Sequence, residues 1–212
     1  MSEILQEISE LLQIGKAGKC KKAVQAAVDE GIAPQVILDD ALLAGMDIVG
    51  TKFKANEVFV PEVLVAARCM NKGLDVLKPL LIAGGAEPIG TVVIGTVKGD
   101  LHDIGKNLVS IMMQGKGLTV VDIGVDVPAD KFVEAAKEHK ASVIACSALL
   151  TTTMGQMQDV VDAVKASDIA EQVTIMVGGA PINEDFCTKI GADKYTIDGA
   201  EAATYAYNIC TA

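Results

Sequence analysis

Asp100-Leu-His102-Asp103-Ile104-Gly105 places a carboxylate two residues before an imidazole and a glycine three residues after it. A carboxylate so close can accept one ring N–H of His102, which fixes the tautomer and raises the basicity of the other ring nitrogen. That nitrogen is then suited to hold a metal ion. One histidine is too few for a site made from protein ligands alone. His139, the only other histidine, sits in the charged Glu138-His-Lys140 and reads as surface; its spacing supports no zinc or iron site with His102. Two further patterns follow in order. Forty-one residues separate Gly105 from Ser147-Ala-Leu149, and 28 more lead to Gly178-Gly179. Each pattern alone has a plain reading. His102 can be an ordinary loop histidine with Asp100 as a helix cap, and the glycine pair a tight β-to-α turn ahead of Pro181.

The elements that carry these residues follow from periodicity. Residues 1–82 read as helices only. Ile4, Ile8, Leu11 and Leu12 share one helical face. A second helix over about 17–30 stops at Gly31, a suitable C′ residue. Pro34 and Pro61 stand where helices open. Leu38, Leu42, Met46, Val49 and Phe53, then Val63, Ala67, Met70, Leu74, Leu77 and Leu81, repeat every three or four positions, the seam of an antiparallel four-helix bundle. The glycine-rich stretch 84–90, with Pro88, reads as a linker. Beyond it the period changes. Thr91–Val97, Leu118–Ile123, Ser142–Cys146 and Val173–Val177, with a weaker Tyr195–Ile197, are β-branched apolar runs separated by helical stretches. Such alternation predicts right-handed βαβ units and a parallel sheet in flavodoxin-like order 2-1-3-4-5. The expected organisation is thus a helical-bundle domain over 1–83, a linker over 84–90 and a Rossmann-like domain over 91–212.

Ligands of open parallel sheets bind beyond the carboxyl ends of the strands. Asp100-x-His102, Ser147 and Gly178-Gly179 each follow a predicted strand, so all three groups belong at that edge. Composition narrows the class further. The net charge is −10 and Arg68 is the single arginine, so no basic stripe for nucleic acid exists. The acidic, amphipathic start MSEILQEISELL lacks the basic region of a signal peptide, and no apolar run has the length of a membrane span. The odd set Cys20, Cys69, Cys146, Cys187 and Cys210 contains no C-x-x-C pair and suits a reduced, cytoplasmic protein. With no Trp and 3% aromatics, the core must be built from Ala, Val, Ile, Leu and Met. Lys19, Lys21 and Lys22 form a short solvated face.

Taken together and in order, the three patterns resemble the cobalamin-binding signature of base-off/His-on corrinoid proteins. Val49-Gly-Thr-Lys-Phe53, Phe59-Val-Pro61-Glu-Val63 and Ala66-Ala-Arg68-Cys-Met70 resemble the cap of methyltransferase corrinoid modules. The likeness spans nearly the whole chain. It is greatest to the corrinoid proteins of methanol, methylamine and O-demethylase systems in anaerobic methanogens and acetogens, and to the cobalamin module of cobalamin-dependent methionine synthase. The resemblance implies a helical cap followed by a flavodoxin/Rossmann-like domain of five parallel strands. It implies His102 as the lower axial ligand of cobalt, with the corrin supplying four nitrogens. Asp100, Asp103, Ile104 and Gly105 complete that loop. Ser147, with Leu149 beside it, and the side-chain-free backbone of Gly105, Gly178 and Gly179 would receive the displaced nucleotide tail. Thr153, six residues past Ser147, would extend the His–Asp relay, while Thr151, Thr152 and Thr153 are equally suited to cap the helix expected to open there. Phe59, with Ala66 and Cys69, would face the cobalt-bound methyl group, although composition alone makes Phe59 a buried helix-start anchor and Cys69 a small core residue.

The function so implied is a methyl carrier in one-carbon metabolism. A substrate-specific methyltransferase would load cob(I)alamin from methanol, a methylamine, a quaternary amine or an aryl methyl ether. A second methyltransferase would unload methylcobalamin to tetrahydrofolate or coenzyme M, and a reductive activator would restore the cycle. Such a chain is a non-catalytic subunit of its system. The rival readings are a cobalamin-dependent sensor or regulator, which would need a DNA-reading segment, and a mutase small subunit, which would not need the cap. A flavodoxin-like domain without cobalamin is the plainest alternative.

Overall fold

The computed structural model describes residues 2–84 and 89–212, with the side chain of Ile82 excepted. Most of the stretch expected as a linker therefore lies outside the described residues. Two compact units are present, one of helices and one built around a sheet.

The helical unit comprises α1 (Glu3–Gln13), α2 (Ala17–Asp29), α3 (Pro34–Ile37), a π-helical segment (Leu38–Leu43), α4 (Ala44–Lys54) and α5 (Val60–Ala83). Helix α3, the π segment and α4 run on without interruption, so four helical rods result, packed α5 on α2 and α1 on both α2 and α4. On α1 the core residues are Leu5, Ile8 and Leu12; Ile4 and Leu11, expected on that face, are only half-buried. Gly31 ends α2 at φ +83°, with the Ile32 N–H donating to the Ala27 carbonyl and the Gly31 N–H to that of Val28. That bond pair is the Schellman closure, and the left-handed φ explains the glycine. The π turn was not foreseen. Its wider turn lets Ala41, Leu42 and Leu43 all bury, where a strict α-period would turn one of them outward. Pro79 lies inside α5, where it removes one backbone donor. Val63, Ala67, Met70, Leu74 and Leu77 are buried as their spacing predicts.

The second unit contains β1 (Thr91–Thr96), α6 (Ile104–Gly115), β2 (Thr119–Asp122), α7 (Ala129–Glu138), β3 (Val143–Ser147), α8 (Gly155–Lys165), β4 (Thr174–Gly178), α9 (Glu184–Ile190), β5 (Lys194–Tyr195) and α10 (Gly199–Thr211). All strand pairs are parallel, in the expected order β2-β1-β3-β4-β5. The central strands are apolar throughout because both faces are covered. Val93, Ile144, Ile175 and Val177 join Phe132 of α7, Met157 of α8 and Ile190 of α9 in one core. The alternate residues Val92, Ile94 and Met176 are buried as well, and α10 contacts β3. Parallel strands bring the β1–α6, β2–α7, β3–α8, β4–α9 and β5–α10 loops to one edge. No described helix is long and apolar enough to cross a membrane.

Candidate functional site

Asp100 organises this edge. Its side chain is fully buried, and five donors converge on it. Oδ1 lies 2.6 Å from Nδ1 of His102 and accepts the His102 backbone N–H at 3.1 Å. Oδ2 accepts the N–H groups of Leu149 at 2.8 Å and Leu150 at 3.1 Å, and the Thr153 hydroxyl at 2.8 Å. Burial opposes the charge on Asp100. The bonds from Leu149, the His102 ring and backbone and Thr153 outweigh it, so the carboxyl is held well below the usual carboxylate range. An ionised Asp100 can only accept, which assigns the proton of neutral His102 to Nδ1. Nε2 has no hydrogen-bond partner among the described residues, and the side chain is 49% exposed. The arrangement is that of a ligand: one nitrogen tied to a carboxylate, the other presenting its lone pair.

The expected residues fall into three groups. Asp100, His102, the backbone of Leu149 and Thr153 form one hydrogen-bonded cluster joining the β1–α6 and β3–α8 loops. Ser147 and Gly178 stand side by side at the strand ends, in register with Thr96. The Ser147 hydroxyl has no hydrogen bond among the described residues. A Cβ on Gly105 would meet nothing within 4 Å, and one on Gly178 nothing closer than the Thr196 carbonyl at 3.7 Å. Gly105 borders open space, and Gly178 has room for a Cβ in ordinary contact with Thr196. Gly179 differs: at φ +135°, its Cβ would come 1.9 Å from the Ala148 carbonyl oxygen, so the approach of the β3–α8 loop requires glycine there. The third group is not drawn into the cluster. Asp103 accepts a bond from Asn107, and Thr151 is exposed; Phe59 belongs to the helical unit.

Several expectations need correction. Helix α8 begins at Gly155 and its N-cap position, Met154, makes no side-chain cap bond, so Thr151, Thr152 and Thr153 do not cap it. Thr153 turns to Asp100 because that carboxylate already gathers the loop's N–H groups. Phe59 is 63% exposed rather than buried; its backbone N–H is held by Glu62 Oε2 at 2.9 Å, and the ring has no such anchor. Ala66 and Cys69 are fully buried, and Cys69 Sγ bonds the Leu11 carbonyl at 3.6 Å, so neither offers a surface to a ligand.

Other participants were not read from the sequence. Thr96, fully buried, donates to the His102 carbonyl at 2.8 Å. Lys106 is buried in the first turn of α6, bonded to Asp122 and to Asn107 Oδ1. A lysine there opposes the helix dipole, and that misplacement was a usable signal. Leu101 is 72% exposed, Ile104 82% and Ile197 75%, with Leu149 and Leu150 also outward. All lie on loops or a helix start at the carboxyl edge. An aliphatic rim round a lone outward imidazole fits a large apolar ligand that brings its own donors to a metal. The described residues contain no cluster of three or more His, Cys, Asp or Glu that could hold a metal ion unaided.

Comparison with known proteins places the chain in a family. Residues 90–206 match a family model described as a B12 binding domain, and residues 4–78 match a second with the same description. Dimethylamine corrinoid protein 2 of Methanosarcina acetivorans is 43% identical over 205 residues, covering 96% of this chain and 94% of that protein. Trimethylamine corrinoid protein 1 of the same organism is 45% identical over 176 residues, 82% of each chain. Among solved structures, the methanol:cobalamin methyltransferase complex MtaBC of Methanosarcina barkeri aligns with a TM-score of 0.85 at 31% identity, over 99% of this chain and 80% of that one.

Proposed function

The chain belongs to the methyltransferase-associated corrinoid proteins, a family built on B12-binding domains, and from that premise we propose that it carries methyl groups on a bound cobalamin. The observation that carries this reading is the convergence of five donors on Asp100, which leaves Nε2 of His102 as the free ring nitrogen at the carboxyl edge.

In this reading His102 is the lower axial ligand of cobalt, base-off/His-on. Asp100 holds the imidazole and Thr153 holds Asp100. Leu101, Ile104 and Leu149 border the corrin. Ser147, Gly105, Gly178 and Gly179 receive the nucleotide tail, with Asp103 and Thr151 at its margin. Phe59 is assigned to the methyl-bearing face, and its exposed ring is available for that role. Bound cobalamin would supply a cobalt that takes up and gives up a methyl group. The names of the most similar relatives favour a methylamine as donor. A methyltransferase specific for that donor is the first partner. A second methyltransferase acting on tetrahydrofolate or coenzyme M, and a reductive activator, complete the proposed cycle in the cytoplasm.

The test is spectroscopic. The chain is reconstituted with hydroxocobalamin beside a His102→Gly variant. The proposal expects a His-on spectrum in the unaltered chain that disappears in the variant. A chain that binds no cobalamin, or a variant with an unchanged spectrum, would refute the assignment.

A further inference from the structure

We propose that Thr96 and the β2–α7 loop clamp the backbone of the His102 loop, so that His102 meets cobalt in a conformation set by folding; the inference rests on His102 being the ligand. The clamp acts on main chain alone, whereas Asp100 holds the imidazole as well as the His102 N–H. Thr96 ends β1 and its hydroxyl is buried, so it must find a partner. The partner is the carbonyl of His102, at 2.8 Å, which closes the loop between strand and helix on itself. Thr96 is itself fixed: its N–H donates to the Gly124 carbonyl at 3.0 Å, and its carbonyl accepts from Val127 at 3.0 Å.

Asp126 supplies the second arm. Its N–H donates to the Asp100 carbonyl at 2.9 Å, and its Oδ1 accepts the Gly99 N–H at 2.7 Å. It does so at φ +55°, in the left-handed region that few residues besides glycine adopt and that Asp tolerates better than most. Asp122 supplies the third, accepting the Gly124 N–H at 2.9 Å and binding the buried Lys106 on the other side of the histidine. The loop is thus held at Gly99, Asp100, His102 and Lys106. Ordering costs that would otherwise oppose ligation are incurred on folding instead. Were cobalamin bound, His102 would take or leave the metal through its ring, with the loop backbone held in place. Thr96 and Asp126 are positioning residues.

The experiment uses the full chain in two states. Before cobalamin is added, amide hydrogen exchange is read at His102. The chain carries histidine labelled with the heavy nitrogen isotope, and after loading with cob(II)alamin the superhyperfine splitting from that nitrogen in the electron paramagnetic resonance spectrum gives the His-ligated fraction. Thr96→Val removes the hydroxyl at nearly constant volume. It is expected to speed exchange at His102 by about tenfold and to lower the ligated fraction by about twofold or more, the scale of one lost hydrogen bond to a buried carbonyl. Thr96→Ser should restore both readouts, and Asp126→Ala should reproduce the loss from the other arm. Wild-type exchange in Thr96→Val and Asp126→Ala overturns the clamp. Faster exchange with unaltered splitting overturns it too, since the loop would then be held without consequence for ligation. An unaltered chain lacking nitrogen splitting instead overturns His102 as ligand, so the two failures are distinct.

Discussion

The loop that carries His102 and the turn that carries Phe59 are opposites in construction. Around Asp100, five donors from two loops converge on a single buried carboxylate. Around Phe59 only the main chain is held, its N–H by Glu62 Oε2 and its carbonyl by the N–H groups of Glu62 and Val63, and the ring is 63% exposed. In the first region position is set by polar atoms whose desolvation is tolerable only when every bond is made. In the helical unit position is set by apolar volume, as at Leu42, where Gly73 leaves room for the side chain. A site residue in the first region inherits the rigidity of the fold. Phe59 takes its orientation from whatever the ring meets.

The contrast can be broken most severely at its polar end. Asp100→Ala strands the N–H groups of Leu149, Leu150 and His102 and leaves the Thr153 hydroxyl only the Leu150 carbonyl, and should destabilise the sheet unit by about 3–5 kcal/mol in urea titration. A loss near that of a surface mutation would mean that water replaces the carboxylate. The same group gives a signed pH dependence. The carboxyl of Asp100 is lowered on folding, so its contribution is present above the usual carboxylate range and is lost as pH falls through that range toward the folded value. Asp100→Asn should flatten this acid-side slope in urea titrations run at descending pH.

At the apolar end, Leu42→Ala should cost about 2–4 kcal/mol by opening a cavity in the helical unit. The hydrogen exchange of Leu149 and Leu150, bonded to Asp100, should be unmoved if the two regions are energetically separate. The smallest stability effect belongs to Phe59→Ala, within about 0.5 kcal/mol, because the ring is exposed and unanchored. Under the proposed function this nearly silent change should nonetheless raise the rate at which solvent or a small thiol demethylates the loaded protein. An unaltered demethylation rate would remove Phe59 from the site.

Much of the architecture was legible because it rests on short-range pattern. A helical period before residue 84 and β-branched runs after residue 90 are imposed by which faces must be buried, and these patterns predicted the strand order. The Asp100-x-His102 spacing was equally legible, since a carboxylate two residues away reaches the ring whatever the rest of the chain does. The π turn at Leu38–Leu43 was not, because it depends on what packs against three consecutive apolar residues.

Spacing alone does not show bonds between atoms far apart along the chain. The resemblance named Thr153 as an extension of the His–Asp relay, and its hydroxyl reaches Asp100 across 53 residues; the N–H groups of Leu149 and Leu150, across 49 and 50, were not read from the sequence. Such pairs exist because strand order sets β3 beside β1 and delivers both loops to one edge. Three threonines in a row looked alike as helix caps, and the resemblance alone set Thr153 apart; in the fold Thr153 bonds Asp100 and α8 begins beyond all three. Gly105, Gly178 and Gly179 looked alike as well, yet only at Gly179 does a carbonyl come too close to admit a Cβ. Residue type and spacing could name the candidate histidine and its carboxylate, since both act within one loop. Long-range hydrogen bonds and close backbone approach chose their supports, because these appear only once the sheet has brought distant loops together.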